Sequence, residues 1–141
     1  MTCIFCKIIA RTAECSPVYE DTDIFAFMDI QPIRPGQVLI IPKDHIDKFS
    51  DVSDEIAEKI FKKSRELTRA IEKNLKPDRV GIIVNGYGVG HAHMIVAPLH
   101  NSGDITTARA AGIENNKIVF SPRNFPFAER AELDRLAKLL S

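Results

Sequence analysis

The sequence has no excess of charge of either sign, because 19 Lys and Arg residues balance 19 Asp and Glu residues. This balance excludes attraction of the whole protein to nucleic acid or to an anionic membrane, so a phosphate ligand would need a local site. No stretch approaches the roughly 20 apolar residues that cross a bilayer, and no basic segment followed by an apolar run marks a secretory signal. We therefore expect a cytoplasmic protein with no nucleic acid or membrane partner.

Repeats, low-complexity tracts and Gly/Ser linkers are also missing, and 141 residues are about the length of one domain. We predict a single domain spanning residues 1–141. The three cysteines are an odd number, and a reducing compartment disfavours disulfides. The closely spaced pair Cys3 and Cys6 is therefore interpreted as metal or redox chemistry, and Cys15 as a plain thiol.

Hydrophobic patterns predict four strands and two helices. Ser53 can cap the clearest helix, in which apolar residues recur at helical spacing and acidic residues favour the positive end. Segment 29–36 carries two prolines and a glycine, which predicts a turn-rich connection between two antiparallel strands. We assign no structure to residues 101–127. The predicted strands are 24–28, 37–41, 80–84 and 92–97, and the predicted helices are 53–75 and 128–140.

Two histidines stand at the start of the fourth predicted strand. Residues two apart in a strand point to the same face, so His91 and His93 project together. They indicate either a ligand or metal site, or a satisfied surface pair. Just upstream, segment 85–90 contains three glycines, which suit either close approach of N–H groups to phosphate oxygens or a simple flexible turn. Together these features indicate phosphate chemistry. The residues expected to face the core are Ala92, Met94 and Val96.

The first hundred residues resemble the histidine triad (HIT) family, because five segments match its motifs in the expected order. These are segments 3–8, 19–21, 26–30, 35–45, and 91–93 with Pro98 behind it. The resemblance implies an α+β domain of HIT-like fold, with an antiparallel sheet of about five strands, a long helix and a C-terminal helix. It also implies a homodimer.

The resemblance implies that His93 attacks the α-phosphate of a purine nucleotide and forms a nucleotidyl-histidine, with His91 beside it in the catalytic motif. We expect the His93 ring to stand exposed at a glycine-lined pocket. Asp29 would accept hydrogen bonds from the ribose hydroxyls, although its position also suits a turn cap. Phe27 and Ile30 would line the base pocket, although both also suit an ordinary core. The implied nucleotide-binding residues are Phe27, Asp29, Ile30, Gln37, Asn85, Gly88 and His93.

A structural zinc site is the second implication of the resemblance. Two thiolates and two imidazoles would make a closed tetrahedral set with no open coordination position. Two small core residues or a redox pair are the other interpretations of the cysteines. The implied ligands are Cys3, Cys6, His45 and His91.

The sequence departs from the family pattern at two positions. Ile95 stands where the third histidine of the motif is expected, and Gln37 replaces a frequent histidine. Losing one such donor can cost roughly 100- to 1000-fold in rate, and His100 is a conceivable substitute. The primary hypothesis is therefore a hydrolase of nucleotide phosphoramidates or dinucleoside polyphosphates, or a nucleotidyltransferase. A non-catalytic nucleotide-binding module and a structural scaffold for partners are the alternatives.

Overall fold

A five-stranded antiparallel sheet forms the centre of the computed structural model, which describes residues 2–105, 111–121 and 124–141. The strand order is β1-β2-β3-β5-β4, so β4 is an edge strand. Helices accompany the sheet, which confirms the predicted α+β class. The strands are β1 (Pro17–Glu20), β2 (Ile24–Met28), β3 (Val38–Pro42), β4 (Arg79–Ile83) and β5 (Met94–Leu99).

Both faces of β2 and β3 are covered, because every residue of these two strands is buried. Alternate residues enter two different apolar clusters, as the two-residue period of a strand requires. One cluster lies beneath the two long helices and contains Ala26 and Ile40. The other, here named the α1 cluster, lies under the N-terminal helix and consists of Phe5, Ile8, Phe25, Phe27, Leu39 and Ile41.

Three helices cover the sheet: α1 (Ile4–Ile9), α2 (Asp54–Leu75) and α3 (Arg130–Leu140). The Ser53 hydroxyl caps α2 by accepting a hydrogen bond from the Ile56 N–H at 3.3 Å, which confirms the predicted start. The buried stripe of α2 includes Ile60, Leu67 and Ile71 and packs on the sheet. None of the described residues belongs to a helix long and apolar enough to span a membrane.

The structure adds elements that periodicity did not predict, namely α1, β1 and a separate hairpin of β6 (Ala111–Glu114) and β7 (Lys117–Phe120). The hairpin turns through Asn115 and Asn116, which both adopt positive φ. Asparagine tolerates this conformation better than most residues. Part of the segment to which we assigned no structure, residues 106–110 and 122–123, lies outside the described residues.

Strand β5 begins two residues later than predicted, at Met94. The preceding segment is held to the loop after β3 by the Ala92 N–H, which donates to the Ile46 carbonyl at 2.6 Å. The predicted alternation holds within the strand: Met94 and Val96 enter the cluster beneath α2, whereas Ile95 packs against the α1 cluster. The two histidines thus approach the sheet from irregular backbone on the α1 side.

Candidate functional site

Four potential metal ligands converge where α1 meets the loops around β3 and β5. The ligand atoms of Cys3, Cys6, His45 and His91 all lie within 4.8 Å of one another. Cys6 Sγ lies 3.2 Å from His45 Nδ1, and His91 Nδ1 lies 3.5 Å from Cys3 Sγ and 3.7 Å from Cys6 Sγ. The four residues predicted as a ligand set are therefore brought together, and they can hold a metal ion.

The hydrogen bonds of His91 prepare it to act as a ligand. Its Nε2 lies 2.8 Å from the Pro42 carbonyl oxygen, which can only accept, so the proton must be on Nε2. The lone pair is then on Nδ1, which faces the two thiols. Burial lowers the pKa of His91, which favours the neutral ring that a metal requires. Because the ring is completely buried and both nitrogens have partners, the geometry favours a metal role over the predicted catalytic role.

His93 has the opposite arrangement. Its Nδ1 lies 2.8 Å from the backbone carbonyl oxygen of His91, so the proton is on Nδ1 and the lone pair is on Nε2. Among the described residues, no buried side-chain nitrogen or oxygen lacks a hydrogen-bond partner. The hydrogen bond of His93 is made by Nδ1, so Nε2 must reach solvent. A nucleophile needs this combination of one fixed nitrogen and one free lone pair.

The ring of His93 is less exposed than the sequence led us to expect. Only 9% of the residue is accessible, because Phe5 of α1 packs edge-on against the ring at a centroid distance of 5.5 Å. Two shallow surface grooves lie elsewhere, one on α3 and one beside α2. The expectation of an openly exposed imidazole is therefore corrected: a small part of the ring reaches solvent, beside an aromatic wall.

The carboxylate of Asp29 is oriented by two hydrogen bonds. The Gln31 backbone N–H donates to Oδ1 at 2.9 Å, and the Gln37 side-chain amide donates to Oδ2 at 2.6 Å. The Gln37 oxygen accepts in turn from the Ile33 N–H at 3.0 Å, and Gln37 is only 3% exposed. Gln37, predicted to bind nucleotide, is thus placed to position Asp29. The turn-cap interpretation of Asp29 is correct, and it leaves carboxylate lone pairs available to a ligand.

The remaining predicted nucleotide-binding residues fall into two groups. Phe27 is buried in the α1 cluster, in edge-on contact with Phe5 at 5.4 Å, whereas Ile30 is 47% exposed. Asn85 and Gly88 lie on the exposed loop before His91. Gly88 has a φ of +93° and open space where a side chain would stand, so its backbone is accessible to a ligand.

Ile95 lies on the α1 side of β5, the side from which His93 approaches the sheet. It pairs with Leu39 on one neighbouring strand and Ile83 on the other, and it is partly buried against the α1 cluster. His100 is exposed and follows the end of β5 at Leu99, which is about 13 Å along the strand from Ile95. This distance argues against His100 as a substitute for the missing third histidine.

Sequence reasoning missed two features around the site. Phe5 contacts both His91 and His93 edge-on, and the available signal was its position inside the Cys3–Cys6 spacing. The second feature is an ion pair in which Arg34 donates twice to buried Asp104, at 2.8 and 3.0 Å. This pair ties the loop after Asp29 to the segment after β5 and strongly lowers the pKa of Asp104. No local pattern links residues 70 positions apart.

Comparison with known proteins shows which proteins this chain is similar to. A model of the HIT domain matches residues 10–101. Protein hit of Bacillus subtilis is 37% identical over 107 residues, covering 72% of this chain and 74% of that protein. The adenosine 5′-monophosphoramidase hnt1 of Schizosaccharomyces pombe is 33% identical over 106 residues, covering 72% and 77% respectively. A zinc-bound histidine triad protein from Mycobacterium smegmatis has a TM-score of 0.74 at 26% identity, covering 99% of this chain and 94% of that one.

Proposed function

Because this chain belongs to the HIT family, we propose that it binds a purine nucleotide derivative and cleaves it at the α-phosphate through a nucleotidyl-His93 intermediate. The family supports a nucleotide-binding hydrolase or transferase. The phosphoramidase among the relatives is a specific precedent for reaction at the α-phosphate. The observation that carries the proposal is the state of His93, whose Nδ1 is held by a backbone carbonyl while Nε2 is free.

The first step is attack of the Nε2 lone pair on the α-phosphorus, with departure of the leaving group. The hydrogen bond to the His91 carbonyl keeps the proton on Nδ1, so the modified ring carries a positive charge. That charge makes the ring a good leaving group when water attacks the phosphorus. The second step then breaks the P–N bond, releases the nucleoside monophosphate and a proton, and regenerates neutral His93.

In this proposal, the residues around His93 bind the nucleotide. Asp29 is oriented by Gln37 and accepts hydrogen bonds from the ribose hydroxyls. The exposed side chain of Ile30 contacts the base, while buried Phe27 supports the wall from behind. Backbone N–H groups around Gly88 and the amide of Asn85 approach the phosphate oxygens.

Zinc is the metal that the Cys3, Cys6, His45 and His91 cluster fits best. Zn–S bonds of about 2.3 Å and Zn–N bonds of about 2.0–2.1 Å place tetrahedral sulfur and nitrogen ligands about 3.6 Å apart. The sulfur–nitrogen distances of 3.2, 3.5 and 3.7 Å agree with this value. A bound zinc would have a structural role, because four protein ligands leave no open position. It would hold α1, and hence Phe5, against the two histidines.

We also propose a homodimer. The edge strand β4 offers unpaired backbone groups and exposed Ile82, and Phe61 on α2 is 53% exposed. These features suit pairing with a second copy of the chain through the sheet edge and α2. Size in solution tests this, because a monomer at micromolar concentration would contradict it.

The test of the catalytic proposal compares two histidine variants. His93→Ala should abolish release of nucleoside monophosphate from every phosphoramidate or anhydride substrate that the wild type cleaves, while the thermal unfolding midpoint stays close to that of the wild type. His100→Ala is the matched control and should retain activity, because His100 is exposed beyond the far end of β5. Acid-labile labelling of the wild type by a substrate carrying ³²P at the α-phosphate should be absent in His93→Ala. Activity in His93→Ala would remove this residue from the mechanism.

A second candidate function is nucleotide binding without turnover. The apolar side chain of Ile95 at the third motif position favours it, because no proton can be donated from there. Nucleotide affinity without turnover or labelling on any substrate would support the binding module over the enzyme. Absence of any nucleotide affinity would favour a scaffold.

A further inference from the structure

On the α1 side of β5, from which His93 approaches the sheet, position 95 holds an isoleucine. This residue is fixed in register by pairing with Leu39 and Ile83 and is partly buried against the α1 cluster. An isoleucine there has no group that can donate a proton to an atom leaving the α-phosphorus. The position next to the nucleophile along this face is therefore apolar.

The other three histidines do not replace that donor. The chain has four in total, and all are described. His45 and His91 belong to the metal cluster, and His91 already donates its proton to the Pro42 carbonyl. His100 is exposed beyond the end of β5, which lies about 13 Å along the strand from Ile95.

The polar side chains of Gln37 and Asp29 also have hydrogen-bond partners already. The Gln37 amide donates to Asp29 and accepts from Ile33, and an amide is not an acid. Both oxygens of Asp29 already accept hydrogen bonds, from the Gln31 N–H and the Gln37 amide. The phenol of Tyr87, 83% exposed on the glycine loop, is a further acidic side chain to test.

We propose that Ile95 restricts this protein to nucleotide anhydrides, in which the α-phosphate is joined to a carboxylate or to another phosphate, and excludes phosphoramidates and simple esters. This inference rests on the proposed attack by His93. When Nε2 bonds to the phosphorus of an anhydride, the P–O bond breaks and its electron pair leaves on a carboxylate or phosphate, which is stable without a proton. An amine or alkoxide leaves only when a proton is supplied to its nitrogen or oxygen, and this face of β5 supplies none.

The experiment measures kcat/KM for adenosine substrates that differ only in the leaving group. Acetyl adenylate and diadenosine tetraphosphate represent the two kinds of anhydride, adenosine 5′-phosphoramidate the amine, and the methyl ester of AMP the alkoxide. General acid catalysis is typically worth 10²- to 10⁴-fold, so the wild type should cleave at least one anhydride at least about 100-fold faster than the phosphoramidate and the ester. A larger value for acetyl adenylate would identify carboxylate as the preferred leaving group, and a larger value for the tetraphosphate would identify phosphate.

Variants at position 95 test the cause. Ile95→His should raise phosphoramidate cleavage about 100-fold near pH 6 and change anhydride cleavage less than about fivefold. Ile95→Val is the matched control, because it stays apolar and should keep the wild-type preference. Tyr87→Phe should leave all rates within about twofold. Loss of phosphoramidate cleavage in Tyr87→Phe would instead identify the phenol as a proton donor and overturn the inference.

The outcomes separate the inference from the function on which it rests. Equal cleavage of anhydride and phosphoramidate by the wild type overturns the inference while leaving His93 catalysis intact. This comparison needs no variant, so it decides the matter even if Ile95→His does not fold. Failure to cleave any of the substrates, with no labelling of His93, overturns both the proposed function and the inference.

Discussion

The hydrogen bond between Gln37 and Asp29 leads to a prediction about the ribose recognition that we propose for Asp29. Gln37→Leu removes the 2.6 Å bond to the carboxylate and the 3.0 Å bond from the Ile33 N–H, at a site only 3% exposed. Bonds to charged groups contribute about 1.5–3 kcal/mol and neutral ones about 0.5–1.5 kcal/mol, so stability should fall by about 2–4 kcal/mol. A carboxylate that is no longer fixed should also lose its orientation toward the ribose hydroxyls.

The functional effect is measured as the ratio of kcat/KM for a ribonucleotide substrate to that for its 2′-deoxy analogue. Loss of one charge-assisted hydrogen bond should reduce this ratio by about 10- to 150-fold. Gln31→Leu is the matched control, because it removes another amide from the same loop but keeps the backbone N–H that donates to Asp29. Gln37→His should restore part of the ratio by supplying a donor. A Gln37→Leu protein that folds and keeps the wild-type ratio would refute the assignment of Gln37 as a positioning residue.

Three further predictions concern the metal, pH and the backbone. Chelation of the metal, or Cys6→Ser, should speed proteolysis within residues 2–10, because a six-residue helix is unstable alone. The circular dichroism of the sheet should stay nearly unchanged. Equal protection from proteolysis with and without chelator would contradict this prediction. Although burial opposes it, hydrogen bonding to backbone N–H groups lowers the pKa of Asp21 from 3.8 to about 2. The resulting stability is complete above about pH 4 and lost toward pH 2, so Asp21→Asn should remove about 2 kcal/mol of that dependence in urea unfolding, and an unchanged slope would refute it. Gly36→Ala should lower the free energy of unfolding by about 1–3 kcal/mol more than Gly86→Ala in the same assay. Both glycines have positive φ, but only the methyl group of an alanine at position 36 would clash with Leu75. Equal losses of stability would contradict the clash.

The helices and strands that could be predicted are those whose own residues show regular hydrophobic spacing, a strong strand preference or an N-cap residue. Helix α2 has both a serine cap and a regular apolar stripe, and it begins one residue after Ser53 as predicted. Strand β2 was predicted with its observed bounds, Ile24–Met28, because its residues favour strands. Short elements with few apolar residues, such as the β6–β7 hairpin, were missed because their stability comes from turns and pairing that a period does not record.

The candidate site was predictable in its residue types but not in its geometry. The spacing of Cys3 and Cys6 indicated a metal or redox pair, yet it did not show that α1 packs Phe5 against the sheet and both histidines. Covering of His93 by Phe5 follows from that placement, and it is why the ring is largely buried instead of exposed. Contacts of this kind depend on tertiary packing between distant segments.

The two histidines of the motif present different free nitrogens because different backbone carbonyls accept their protons. The Pro42 carbonyl binds Nε2 of His91 and directs its Nδ1 lone pair at the thiols. The carbonyl of His91 itself binds Nδ1 of His93 and leaves the Nε2 lone pair at the surface. A metal at the first histidine would thus fix the backbone that sets the tautomer of the second. Metal binding at the Cys3, Cys6, His45 and His91 cluster and the proposed reactivity of His93 would therefore be coupled through a single peptide group, which no side-chain pattern in the sequence records.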